Sequence, residues 1–376
     1  MNRSTDVTLG DHIRSACLRL PCPDLDVSLR FFTEQLGFVV EQIVPADAPR
    51  IALLSGHGMN LHLHADAAAM PSRNRTCIQL DYDRAALGSD APSHLISPCG
   101  VRVELCDAEP ALHIPQGEQA FILTRHDARN GWHVGRAGMH YRDLIPGRLG
   151  GRFIASHIRI PDGGEVPDYV HYHRVRFQMI FCKAGWVRVV YEDQGEPFVL
   201  NAGDCVLQPP QIRHRVLEAS PGLEVIELGC PAVHETLADR ALVLPNARCM
   251  PEREFFGQRF VRHVAADAVW QPWRAPGFSA RDTGIADATD GLADARVVRW
   301  ANDPASPSPQ APLGHHGELR FLFVLGGSLE LHSTGHGTHT LGINDSCVIP
   351  ADTDFLLHAG NDMEVLEVSL PAQAGR

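Results

Sequence analysis

"PDYVHYHRVRFQMIFCKAGWVRVV" occupies residues 167–190. His171 and His173 flank Tyr172, and on an extended chain successive side chains point to opposite faces, so both imidazoles share one face. Gln178 opens the next apolar segment, which closes at Gly185 and runs into the β-branched stretch "WVRVV". Short apolar segments bounded by turn residues read as strands. The same texture continues through "GDCVLQPPQIRH", which delivers His214 on another strand. Three imidazoles are a common ligand set for a divalent transition metal, and an oxygen donor such as that of Gln178 is a frequent addition. Glu218 stands two alternations beyond His214, is expected on the same face, and is a candidate general base. Tyr172 and Arg176 are candidates for holding an anionic or phenolic substrate.

Outward from this stretch the chain repeats itself. "GMHYRDLIPGRLGGRFIASHIRI" (138–160) parallels "GFSARDTGIADATDGLADARVVRW" (277–300), and "GDCVLQPP" (203–210) parallels "NDSCVIPA" (344–351). Two tandem β domains are the simplest reading. A helix is expected at "PEREFFGQRFVRHVA" (251–265), and a Pro/Ser-rich loop at 301–312. Upstream, "ACLRLPCPDLDVSLRFFTEQLGFVVEQIV" reads as strand, turn, amphipathic helix and strand, with Val27, Leu29, Phe31, Phe32 and Leu36 near one stripe and Gly37 as the stop. "RIALLSG" and "MNLHLHAD" follow as two strands. The expected architecture is multidomain: an α+β domain of βαβββ modules at 1–125, then two all-β domains, of the sandwich or barrel class, at 126–235 and 236–376.

The 376 residues carry a net charge of −12 and no basic run, which argues against nucleic acid and against an anionic membrane surface. No apolar stretch has the length of a membrane span. Ten cysteines without a C-x-x-C pair, several of them (Cys17, Cys77, Cys182, Cys205, Cys347) inside apolar strands, read as reduced thiols in a cytoplasmic protein. The expected partners are a small-molecule substrate and a second copy of the chain in a homodimer.

Gly164, His171-Tyr172-His173, Gln178 and Gly185 are spaced like the first motif of the cupin superfamily. Gly203, Pro209-Pro210-Gln211 and His214 are spaced like its second. The resemblance covers about residues 138–230. It implies a jelly-roll barrel holding one divalent transition metal through His171, His173, His214 and residue 178, with Fe(II) favoured and Zn, Ni, Mn or Cu accommodated by the same donors. Gln178 replaces the family's glutamate, and Glu218 its asparagine. The later repeat resembles a second, metal-free cupin: Gly327 aligns with Gly185, Arg320 with Gln178, His315 with His173, Leu313 with His171 and Phe355 with His214. The N-terminal stretch 17–38 and "SPCGVRVEL" (97–105) resemble the vicinal oxygen chelate superfamily. That resemblance places Cys17, His62, Cys77 and Glu104 at its metal-ligand positions, in a domain read as degenerate.

Together these resemblances imply a metal-dependent enzyme acting on a small oxygenated organic molecule, with a dioxygenase-type reaction on a phenol, enol or diketone expected. A redox-neutral isomerase, cyclase or lyase is the alternative that Gln178 favours. A non-catalytic small-molecule-binding or sensor cupin is the third reading.

Overall fold

The computed structural model describes residues 13–87, 92–127, 131–300 and 312–371; the loop read at 301–312 lies outside them except for its last residue. The chain divides into two compact units, Met1–Ala111 and Leu112–Arg376.

In the first unit a strand, Leu18–Cys22, leads into a helix over Leu25–Arg30 that continues as a π-helical turn to Gln35. The Asp24 side chain caps the helix by accepting from the Val27 N–H at 3.0 Å. Leu25, Phe31 and Phe32 bury against Leu20, Leu54, Leu61 and Leu63, while Val27 is exposed. The strands Val39–Val44, Ile51–Gly56 and Met59–Ala65 complete a four-stranded sheet in which Leu18–Cys22 runs parallel to Met59–Ala65. A separate three-stranded sheet repeats the parallel pairing of first and last strands, Cys77–Tyr82 with Arg102–Asp107.

The second unit is built of two copies of one plan. Each has a seven-stranded antiparallel sheet facing a smaller sheet. Period-two alternation sorts the side chains of the central strands. In Phe177–Ala184, Phe177, Met179 and Phe181 face out of the barrel, whereas Gln178, Ile180 and Cys182 face in. In Leu319–Gly326, Leu319, Phe321 and Phe323 join Phe177 and Phe181 in one buried cluster, so the two large sheets share a core. Burying each such aromatic contributes about 1.5–3 kcal/mol. Glu318 adds a polar clamp between the halves, accepting from Arg152 and, at 2.7 Å, from Arg176.

The two halves exchange edge strands. Ile122–Thr124, which precedes the first barrel, pairs with Ser346–Val348 of the second. Val261–His263, which precedes the second, pairs with Cys205–Leu207 of the first. Boundaries at 125 and 235 therefore cut through both sheets; hydrogen-bond pairing between distant segments leaves no mark in local composition. The helix expected at 251–265 is instead a hairpin, Glu254–Phe255 with Gln258–Arg259. Phe256 and Gly257 both take positive φ, the geometry of a tight two-residue hairpin turn. Cys17 and Cys77, expected inside apolar strands, are exposed, and all ten cysteines are free thiols.

The second barrel is filled by packing. Arg320, 1% exposed, is bonded to Glu367, which also accepts from Arg274. Glu367→Gln leaves two cationic groups without their counter-charge and is expected to cost about 3–5 kcal/mol in urea unfolding, whereas Arg320→Met combined with Glu367→Leu recovers most of the loss.

Candidate metal centre

His171 lies directly across from His214 in the antiparallel pairing of His171–His173 with His214–Ala219, and His173 follows on the same face. The ring centroids are 4.3 Å (His171–His214), 5.2 Å (His171–His173) and 5.3 Å (His173–His214) apart. One ligand nitrogen from each lies within 4.8 Å of the others.

Backbone carbonyls fix which nitrogen that is. Nδ1 of His171 is 2.8 Å from Tyr169 O, Nδ1 of His173 is 3.0 Å from Glu235 O, and Nδ1 of His214 is 3.0 Å from Ile212 O. A carbonyl only accepts, so each Nδ1 carries the proton and each Nε2 keeps its lone pair. Burial holds all three imidazoles below their ordinary pKa, with His173 lowered to about 3 and His214 well below 6.5; the neighbouring rings push His173 and His214 in the same direction. At neutral pH all three are uncharged donors of one tautomer, and this set fits a divalent transition metal.

The chain turns tightly around these strands. Gly185 has φ +71, and a Cβ there would meet Ser220 Oγ at 2.3 Å; Gly327 repeats the constraint in the second half, with Asn361 O at 2.2 Å. At Gln211 the chain takes φ +62 without glycine, and the Gln211 N–H donates to His173 O at 3.0 Å.

The three histidines line a cavity of about 540 Å³ whose wall is largely apolar, with Ile158, Ile180, Val187, Val189, Leu200 and Val225 among its residues. Gln178 is buried in this wall, and its Nε2 donates to Glu227 Oε1 at 2.6 Å. Its amide is thus oriented by a carboxylate, and Glu227 is a cavity acid that the motif spacing does not reveal. Its sequence signal is parity: Leu223, Val225 and Glu227 all line the cavity, so Glu227 is the acid in an otherwise apolar alternating series. His234 is a fourth imidazole in the wall, with its ring 5.3 Å from His173 and its Nδ1 2.9 Å from Pro231 O. Arg136, from the Arg136–Gly138 turn, also lines the cavity.

The three candidates for catalysis lie elsewhere. Between Arg188 and Val189 the register of the partner strand skips Leu217, and this bulge reverses the alternation after Val216. Ala219 is therefore buried, and Glu218 faces outward onto Arg188 at 3.1 Å. Tyr172 points away from the two histidines it separates and lies under the Arg213 guanidinium, 4.1 Å from its ring. Arg176 is engaged by Glu318 in the clamp between the halves.

Among the described residues, Cys17, His62, Cys77 and Glu104 do not converge: the first two belong with one sheet of the first unit and the last two with the other, and Glu104 is paired with Arg102 at 2.8 Å. In the second barrel, His315 spends Nε2 on Ile349 O at 2.8 Å. Arg320 occupies the Gln178 position and Glu367 the Glu227 position, since Ile180 faces Glu227 as Leu322 faces Glu367.

Residues 156–226 match the model of the Cupin domain family. The cupin match contains His171, His173, Gln178 and His214 and stops one residue before Glu227. No curated protein matches the sequence. Solved structures with similar folds include an oxalate decarboxylase of Lactobacillus farciminis in complex with formate, at 14% identity and TM-score 0.48 over 67% of this chain and 87% of that one. The Escherichia coli protein YlbA aligns at 12% identity and TM-score 0.47, over 71% and 96%. A Bacillus subtilis oxalate decarboxylase described for its Mn(II) centres aligns at 12% and 0.47, over 72% and 81%.

His171→Ala is expected to abolish Co(II) binding, read from the visible absorption of the ion during titration. The metal-free protein is expected to lose stability on acidification. The folded imidazoles take up protons only below the unfolded value of about 6.5, so their contribution is complete above that pH and drains away as pH falls toward 3. Urea midpoints at pH 7.5 and pH 5 measure the difference, and His173→Gln is expected to reduce it.

Proposed function

We propose that this chain is a metal-dependent enzyme of the cupin type that acts on a small, largely apolar organic molecule bearing an enolisable or phenolic oxygen group. The observation that carries the reading is the convergence of three singly oriented imidazoles and one carboxylate, Glu227, on a single apolar cavity. A divalent metal held by His171, His173 and His214, with Gln178 adjacent, supplies Lewis-acid polarisation of a substrate oxygen and, if it is Fe(II), redox chemistry toward O₂.

Glu227 is the group placed to take the proton from the substrate O–H or α-C–H. The Gln178 amide, donating to Oε1, holds the carboxylate in one orientation and leaves its remaining acceptor capacity for that proton. Tyr141 and Tyr191 line the same space; burial raises the Tyr141 phenol to about 12 and pushes Tyr191 up as well, so both stay protonated and serve as hydrogen-bond donors. The Tyr191 hydroxyl is held by Gln208 Nε2 at 3.0 Å. The apolar wall excludes water and orients the hydrophobic body of the substrate.

Oxygenation of the deprotonated substrate is the reaction we favour. Redox-neutral isomerisation is the second reading, because Glu227 beside a neutral Gln178 is equally a device for moving a proton between two carbon or oxygen positions. Oxygen uptake against a panel of catechols and β-diketones separates them: uptake supports the first, and solvent-deuterium exchange at the α-carbon without uptake supports the second. Glu227→Gln is expected to lower kcat by about 10²–10⁴-fold with metal content unchanged. Full turnover by that variant would remove Glu227 from the mechanism, and binding without turnover of any panel member would favour a sensor.

A further inference from the structure

The guanidinium of Arg136 is held along one edge and loosely committed along the other. Nη1 donates to Asp168 Oδ1 at 2.7 Å. The Asp168 side chain is fully buried and also accepts from the backbone N–H groups of Tyr169 and Val216, both at 2.9 Å, so it is a fixed anchor. On the other edge, Nη2 lies 3.1 Å from His171 Nε2. The Nδ1 proton of His171 is committed to Tyr169 O, which makes Nε2 the acceptor of the Arg136 bond. That lone pair is the one a metal ion needs.

A single lone pair serves the guanidinium or a cation, not both, and two like charges about 4 Å apart repel. A filled metal centre therefore displaces Nη2 while Nη1 stays on Asp168. Arginine has donors only, so the displaced edge needs a new acceptor beside the metal. The carboxylate in the cavity wall, Glu227, accepts from Gln178, and its remaining acceptor capacity serves the substrate proton in the reading above. The cavity's other guanidinium, Arg148, is paired with Asp143 at 3.7 Å, and most of the remaining side chains in the lining are aliphatic.

We propose that Arg136 is the anion-binding residue of this cavity: it recognises the carboxylate of an otherwise apolar substrate next to the metal centre, and His171 is its resting partner in the metal-free protein. The placement deepens the metal-enzyme reading above and rests on it for the position of the carboxylate relative to the metal. It narrows the substrate class to amphiphilic monocarboxylates, with the apolar body along the aliphatic wall.

The test is calorimetric titration of octanoate and 1-octanol into metal-free and Co(II)-loaded protein. A charge-assisted hydrogen-bond pair corresponds to roughly a ten- to hundredfold preference for the carboxylate. Wild type is expected to show that preference when loaded and a smaller one when metal-free, where His171 competes for Nη2. Arg136→Leu is expected to bind 1-octanol unchanged, to lose the octanoate preference in both states and to bind Co(II) more tightly. Arg136→Lys is expected to retain part of the preference. An Arg136→Leu protein that keeps wild-type circular dichroism and the full octanoate preference overturns the proposal, as does a wild type with no preference in either state. Failure of the wild type to bind Co(II) would instead sink the metal-centre reading, and the metal-free comparison of wild type with Arg136→Leu would still decide the role of Arg136.

Discussion

Three backbone carbonyls, those of Tyr169, Ile212 and Glu235, each take an imidazole Nδ1 proton, and the orientation of the whole histidine cluster depends on that. A histidine free to rotate or to swap tautomers presents either nitrogen. These three present only Nε2, toward one another, from a site that burial keeps uncharged. Two of the carbonyls lie two residues before the ring they hold, so the constraint is written into the local strand geometry. The third comes from Glu235, in the segment just beyond the last long strand of the barrel. Closing that segment over His171–His173 is thus part of forming the site.

The two barrels show how one frame serves two ends. Both place a polar residue on the inner face of the central strand and a glutamate on the neighbouring strand, one step along. In the first barrel the pair is Gln178 with Glu227, a neutral donor on a carboxylate, surrounded by open space. In the second it is Arg320 with Glu367, an ion pair that, with Arg274, is packed among Trp273, Leu322 and Val324. Exchanging an amide for a guanidinium changes a poised carboxylate into a neutralised one. The same position therefore lines an open cavity in one half and holds structure in the other.

Much of this was legible in the sequence. The spacing of His171, His173 and His214 anticipates that the three imidazoles come together, because strand alternation and turn length are local properties. The parallel repeats likewise reveal two copies of one sheet. The catalytic candidates were not recoverable in the same way. Glu218 was placed by strict alternation, and the bulge at Leu217 defeats that rule with a single extra residue. Tyr172 and Arg176 stand close to the histidines in sequence, yet one points out of the strand and the other is drawn to Glu318, far along the chain. Glu227, Arg136 and His234 reach the cavity from segments outside the two motifs. The hairpin at Glu254–Arg259 is too short to show a strand period, and the positive φ values at Phe256-Gly257 set its turn.

The exchange of edge strands has a consequence for how the protein is made. A chain emerging from the ribosome completes Cys205–Leu207 long before Val261–His263 exists to cover it, and Ile122–Thr124 waits for Ser346–Val348, far later in the chain. An uncovered strand edge is an adhesive surface. The nascent first barrel therefore carries one open edge through the translation of the linking segment, and the strand held for the second barrel stays unpaired until Ser346–Val348 has been made. Neither large sheet is complete until a strand from outside its own barrel is in place.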